Sequence, residues 1–250
     1  MSETFIDYEV LRAFDADGFR SRAPFPWHNL RGFLTAEGFR ALYNDFPPIE
    51  QFEYHNNIRR DHNQRPHNRH YLAYENSIYH KEADNGVVRH HQLPAAWQRF
   101  MDELESSDEY QDVARRALDV SAFTTRYAWH VGSQGSEVSP HVDAANKLGT
   151  HILYFNTSDE WNPEWGGATL VLGGKQTEAM NPDFVDFETR DEARIVDNHS
   201  FLFRNTPNAW HGVTALTCPP GSYRRLFNII FEAPAGRRGL LDRARTLLRF

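Results

Sequence analysis

The stretch Ser139–Lys147, SPHVDAANK, places a histidine and an aspartate two residues apart. In an extended segment residues i and i+2 point the same way, so His141 and Asp143 can face one ion while Val142 turns aside. Two protein ligands are too few for a firm metal site. The best third is His211 in NAWHGVTALT, seventy residues later, at the start of a segment that reads as a strand. Two imidazoles and one carboxylate can occupy one face of an octahedral Fe(II) and leave three positions open. The same donors suit a zinc ion with water as nucleophile, so ligand identity leaves the metal open. The bland reading of His-x-Asp is a polar turn whose aspartate bonds its own backbone.

Positioning these groups falls to a run of short aromatic and β-branched segments. FTTRYAWHV, THILYFN, ATLVL, SFLFRN, HGVTALT and RRLFNIIFE follow one another after residue 122, punctuated by Gly and Pro. Strands without intervening helices predict an antiparallel sandwich or barrel. An antiparallel barrel can return His211 to the same mouth as His141. RRLFNIIFE opens on Arg224 and Arg225. An arginine inside a barrel is costly unless it meets an anion, and strand alternation sends one of this pair in and one out. Alternation also puts Phe201, Phe203 and Asn205 on one face, and His151, Leu153 and Phe155 together on another.

The first 121 residues read as helices and loops. FLTAEGFRALYNDFP has Thr35 as N-cap and an apolar stripe at Phe39, Leu42, Tyr43 and Phe46, ended by Pro47. PAAWQRFMDELES and DEYQDVARRALDV carry further helical stripes that predict core packing. Between FLTAEGFRALYNDFP and PAAWQRFMDELES lies IRRDHNQRPHNRH, with His62, His67 and His70 and with Arg59, Arg60, Arg65 and Arg69. Its polarity and lack of period predict a loop that covers a site or meets a carboxylate, rather than a metal centre. Residues 173–198 read as a polar, acidic insert between strands. GRRGLLDRARTLLRF predicts a C-terminal helix over 237–250, packed on the domain or on a second copy in a homodimer.

The whole is read as one domain over 1–250, with residues 122–232 as the β core. A hydrophobic fraction of 40%, with six Trp and eighteen Phe, is ample for a core. The formal charge of −7 argues against nucleic acid and against an anionic membrane surface. One cysteine, Cys218, excludes an intrachain disulfide and a cysteine-based zinc site. No apolar run approaches a membrane span and the start does not read as a secretory signal, so a cytoplasmic protein is expected.

Taken in order, HVD, NPEWGGATLVL, FLFRNTPNAWHGV and RRLFNIIF resemble the Fe(II)/2-oxoglutarate-dependent dioxygenases, closest to the prolyl-hydroxylase-like branch. The resemblance covers about residues 123–232. It implies a double-stranded β-helix, a cupin-like jelly roll braced by helices on one side. It implies His141, Asp143 and His211 as iron ligands, and Fe(II), 2-oxoglutarate and dioxygen as the working set. It places the anchor for the far carboxylate of 2-oxoglutarate at Arg225, with Arg224 as the competing choice. His151 and Phe203 fall where the co-substrate is lined. Where members of the branch use a tyrosine, this chain offers Leu153, with Tyr154 turned outward. A carboxylate at position 143 implies oxygen transfer rather than halogenation. The implied activity is hydroxylation of a small carboxylate-bearing molecule, such as an amino acid or natural-product intermediate. A peptidyl, prolyl-type hydroxylase, a zinc-dependent cupin-like hydrolase or isomerase, and a non-catalytic binding module remain the other readings.

Overall fold

The computed structural model describes residues 4–56, 65, 67–77 and 86–234. The expected helix over 237–250 lies outside the described residues, as do His62, Arg59 and Arg60. Twelve strands run in chain order: β1 (Trp27–Arg31), β2 (Glu53–His55), β3 (Arg69–Tyr74), β4 (Val87–Val88), β5 (Thr124–Gly132), β6 (Val138–His141), β7 (Lys147–Tyr154), β8 (Leu170–Lys175), β9 (Phe187–Glu192), β10 (His199–Arg204), β11 (His211–Val213) and β12 (Arg224–Glu232). They form two sheets. The larger has the order β1-β10-β7-β12-β5-β3-β2, with β4 beside β3; the smaller has the order β6-β11-β8-β9. Every pairing is antiparallel except β3 with β4. The expected mainly β architecture with helical additions is the one observed.

Two parts of the chain differ from expectation. The first 121 residues are not only helix and loop, because they supply β1 to β4 and so widen the larger sheet at both edges. These strands are short, and β1 shows no clean alternation of buried and exposed residues, so no period of two announces them. The polar stretch read as a loop ends in β3, whose Tyr71, Leu72 and Ala73 are buried. The insert 173–198 likewise holds β9, an exposed edge strand paired with β8.

Five helices, α1 (Tyr8–Arg12), α2 (Ala16–Arg20), α3 (Ala36–Asn44), α4 (Ala95–Ser106) and α5 (Asp108–Leu118), cover one face of the larger sheet. Thr35 caps α3, its hydroxyl accepting the Gly38 N–H at 3.0 Å. Asp119 ends α5 in the left-handed region, at φ 56°. Alternation sends Trp129, Leu153, Phe227 and Ile229 toward these helices. Tyr154, Phe201, Phe203 and Leu226 go the other way, between the two sheets. Trp97 of α4 is the centre of the helix-side core. It is fully buried, meets the rings of Phe46, Phe100, Trp129, Phe155 and Phe227, and donates its indole N–H to the Leu42 carbonyl at 3.1 Å. Trp97→Ala should cost about 3–5 kcal/mol by emptying that volume. Urea unfolding measures it, and a loss under ~1 kcal/mol would refute this assignment of the core.

His151 sits in the same layer. Its Nδ1 meets the Tyr110 hydroxyl at 3.0 Å, its Nε2 meets the Ser200 hydroxyl at 2.9 Å, and the Phe33 ring lies against it. Burial lowers its pKa to about 3, so the native imidazole is neutral while the unfolded one takes a proton near pH 6.5. The unfolded state therefore binds more protons between about pH 6.5 and 3, and stability contributed by neutral His151 is lost as pH falls through that window. In His151→Gln the slope of stability against pH from 6 to 4 should be shallower by up to about 1.4 kcal/mol per pH unit. Denaturant midpoints of the two proteins across that range are the measurement; parallel slopes would contradict it.

Candidate metal centre

The strand pairing of the smaller sheet builds the centre. His211 of β11 stands directly opposite His141 of β6, and on its other side it pairs with Val171 of β8. The two imidazole rings are 4.2 Å apart at their centroids. Asp143 follows β6 by two residues and completes the group, with the ligand atoms of His141, Asp143 and His211 within 4.8 Å of one another. Among the described residues this is the one such group of three. His67 and His70 do not form a second one. His67 packs instead against His141, at 5.2 Å between ring centroids.

Both imidazoles are held in one tautomer. His141 Nδ1 donates to the Ser139 carbonyl at 3.0 Å, and His211 Nδ1 donates to the Ala209 carbonyl at 2.9 Å. A carbonyl only accepts, so Nδ1 carries the proton and the lone pair of a neutral ring lies on Nε2. That is the state a metal ligand needs. Burial alone would raise the Asp143 carboxyl, but the Lys147 ammonium beside it outweighs this and holds it ionised well below the usual carboxylate range. Lys147 Nζ donates to Asp143 Oδ1 at 2.7 Å, and the carboxylate has a second oxygen for a metal. Asn205, just past β10, donates its side-chain amide to the carbonyls of Ala144 and Lys147 at 3.0 and 2.8 Å. It thus pins the loop that presents Asp143. Phe203 closes the opposite side, its ring 4.6 Å from that of His211.

The arginine pair resolves by alternation, with the inward residue one position earlier than expected. Arg225 lies on the helix side. It pairs with Glu160 at 2.5 Å and lies over the rings of Tyr43 and Phe46. Arg224 is the residue directed between the sheets. It is buried, donates Nε to the Gly167 carbonyl at 2.6 Å and Nη2 to the Thr169 hydroxyl at 3.3 Å, and lies over the Tyr154 ring at 5.3 Å. Tyr154 shares the Thr169 hydroxyl at 2.6 Å. Gly167 makes this possible: its φ is +91°, and a Cβ there would stand 3.0 Å from Arg224 Cδ. None of the ion pairs among the described residues involves Arg224.

β7 shows the same shift of face. His151 and Leu153 turn to the helices, so His151 does not line the metal centre, and Tyr154 is the inward residue. Pairing fixes this, because Leu226 stands opposite Tyr154 and shares the inner face with Arg224. Arg224, the competing choice of the sequence reading, is thus the inward arginine, Tyr154 points inward where it was expected outward, and Asn205 was placed on its face but not in its contacts. The signal for the first two is the inward parity of Phe201 and Phe203 carried across the sheet, a step that requires the strand register.

Residues 122–232 match the model of the 2OG-Fe(II) oxygenase superfamily. No curated protein sequence matches the chain. Among solved structures it is similar to a prolyl-4-hydroxylase of Pseudomonas putida, at 13% identity and a TM-score of 0.58 over 90% of this chain and 100% of the other. A prolyl hydroxylase of Trichoplax adhaerens, in complex with a hypoxia inducible factor peptide fragment, aligns at 12% identity and a TM-score of 0.56, over 93% and 94% of the two chains. The α-ketoglutarate-dependent carbocyclase SnoK of nogalamycin biosynthesis aligns at 14% identity and 0.54, over 96% and 93%. Residues 122–232 are thus similar to the 2OG-Fe(II) oxygenase superfamily, and His141, Asp143 and His211 lie inside the matched span.

Proposed function

We propose that this chain is an Fe(II)- and 2-oxoglutarate-dependent oxygenase that hydroxylates a carbon–hydrogen bond of a small carboxylate-bearing molecule. The observation that carries this reading is one shared interior. A two-histidine, one-carboxylate cluster and a buried arginine both open between the two sheets. A zinc hydrolase needs the first but has no use for the second. A binding module needs neither imidazole fixed with Nε2 as its basic atom.

His141, Asp143 and His211 would hold the iron, each presented by β6, the loop after it, or β11. Arg224 would take the far carboxylate of 2-oxoglutarate, since a guanidinium keeps spare N–H donors after two neutral contacts. Tyr154 and Thr169, already hydrogen-bonded to one another, flank that position and orient the guanidinium. Phe203, Leu226 and Val171 make the surroundings apolar and exclude water, which strengthens every charge contact there. With its metal bound, the centre would supply oxidising chemistry that couples decarboxylation of 2-oxoglutarate to succinate with transfer of one oxygen atom to substrate. Asp143 fills the carboxylate position, which favours oxygen transfer.

Arg225 and Arg224 separate cleanly in a binding experiment. With Mn(II) in place of iron, Arg224→Ala should weaken 2-oxoglutarate binding by about 10–100-fold, the loss of a charged hydrogen-bonding partner. Arg225→Ala should leave it within about threefold and act on stability alone, through lost contacts to Glu160 and Tyr43. Isothermal titration decides; absence of any metal-dependent binding in the unaltered chain would remove the oxygenase reading. Asn205→Ala, which frees the loop of Asp143, should lower Mn(II) affinity by roughly 10–100-fold, as loss of an outer support to a ligand does. Electron paramagnetic resonance of free Mn(II) reads this, and unchanged affinity would show that Asn205 does not position the carboxylate.

A further inference from the structure

A cavity of about 300 Å³ lies on the helix side of β1, between that strand and the helices α1 and α2. Its lining runs from Val10 to Arg31, so no part of it belongs to the metal centre or to the span of the superfamily match. β1 builds one wall by alternation. Trp27 turns to the space between the sheets, whereas His28 and Leu30 turn to the helices. Phe14 and Phe19 form an apolar floor with Leu30. All three are buried, the two phenyl rings are 5.5 Å apart, and Phe14 meets the His28 ring edge-on at 5.9 Å. Gly18 adds no side chain on the α2 wall, where a Cβ would stand 2.3 Å from Asp15 Oδ2.

The rim of this cavity is charged. Arg22 and Arg31 are exposed there, and neither forms an ion pair among the described residues. Arg22 lies with its guanidinium 3.7 Å from the centre of the Trp27 ring, a stacked contact that leaves its N–H groups for another partner. Burial first, and then the field of Arg22, lower the pKa of the His28 imidazole, so this ring is neutral. Asp15 is the one acidic residue of the lining, and its Oδ1 accepts the N–H groups of Asp17 and Gly18 at 3.2 and 3.0 Å. Two guanidiniums against one carboxylate make the lining positive, within a chain whose formal charge is −7.

We propose that this cavity binds a small apolar monocarboxylate, its hydrocarbon body on Phe14, Phe19 and Leu30 and its carboxylate on Arg22 and Arg31. Charge and polarity select that class together. An inorganic anion would leave the apolar floor uncovered, and a neutral hydrocarbon would leave both guanidiniums without a partner. A dicarboxylate would bring its second charge against Asp15 or onto the phenyl rings, where an unpaired charge is costly. The volume stands at the lower end of small-molecule sites, which span about 300–1,000 Å³. Arginine meets both oxygens of a carboxylate with its planar fork. The proposal does not depend on the oxygenase reading.

The test is isothermal titration of the full chain with benzoate, hexanoate and cyclohexanecarboxylate, each beside its primary amide, and with inorganic phosphate. It is run once with Mn(II) and 2-oxoglutarate under nitrogen, so that the metal centre is occupied, and once without either. At least one acid should bind in both conditions, with its amide about 10-fold weaker or worse and phosphate without effect. Arg22→Gln and Arg31→Gln should each weaken that acid by about 10-fold. Ala13→Phe, which projects a ring into the cavity from an exposed position, should abolish binding, and cooperative thermal unfolding of each variant shows that it has folded. The site is overturned if none of the three acids binds, if an amide or phosphate binds as tightly as the acid, or if acid binding survives Ala13→Phe. Binding in only one of the two conditions would place the acid at the metal centre and overturn it as well.

Discussion

The pairing of His141 with His211 across β6 and β11 is the constraint from which the centre follows. A slip of one residue in either strand would turn one imidazole to the opposite face and leave a single ligand. The register is held at both ends. Val213 pairs with Val138 beyond an irregularity in the ladder, and Val171 of β8 fixes His211 from its other side. Gly212 sits at that irregularity, where a Cβ would come within 2.7 Å of the Val138 carbonyl and 2.9 Å of the Phe184 ring. A side chain at 212 would push β11 off β6 and part the two rings. The β9 region, which supplies no ligand, thereby acts on the metal centre by packing.

The larger sheet separates support from chemistry by parity. In β12, Arg225, Phe227 and Ile229 meet the helices, and Arg224, Leu226 and Asn228 meet the interior. Arg225 is not idle: its pair with Glu160, which also accepts from the Tyr43 hydroxyl at 2.8 Å, fastens α3 to the back of the strand that presents Arg224. Two neighbouring arginines of one sequence run thus serve opposite layers. His151 and Tyr154 divide β7 in the same way, one buried as a neutral hydrogen-bonded group among helices, the other beside the guanidinium.

How far the sequence discloses this depends on the range of the interaction concerned. His-x-Asp is a local pattern and needs only the pleat of one strand, so its convergence is legible. Thr35 and the stripe from Phe39 to Phe46 are local too, and the helix forms where they place it. Choosing between Arg224 and Arg225 requires knowing which face of β12 opens toward β6, and that is set by pairing with β7 and β5 rather than by residues nearby. The strands β1 to β4 were hidden for a related reason: as edge additions of two to six residues, they owe their conformation to a sheet already formed by later sequence. Asn205 could be placed on the inner face of SFLFRN, but its contacts to Ala144 and Lys147 join segments about sixty residues apart.

Charge links the two layers to function. A chain of formal charge −7 repels anions at long range, yet it gathers Arg69, Lys147, Arg126 and Arg224 around a single interior imidazole. Long-range attraction cannot deliver an anion to such a centre, since exposed charges are screened within about 10 Å at ordinary salt. Selectivity must therefore arise after entry, where low polarity strengthens each contact. There the geometry is discriminating. Lys147 and Arg126 carry their own carboxylates, so they raise the potential without offering a bidentate fork to a ligand. Arg224 differs from both: its contacts, to the Gly167 carbonyl and the Thr169 hydroxyl, are neutral, so its charge stands between the sheets without a carboxylate partner among the described residues.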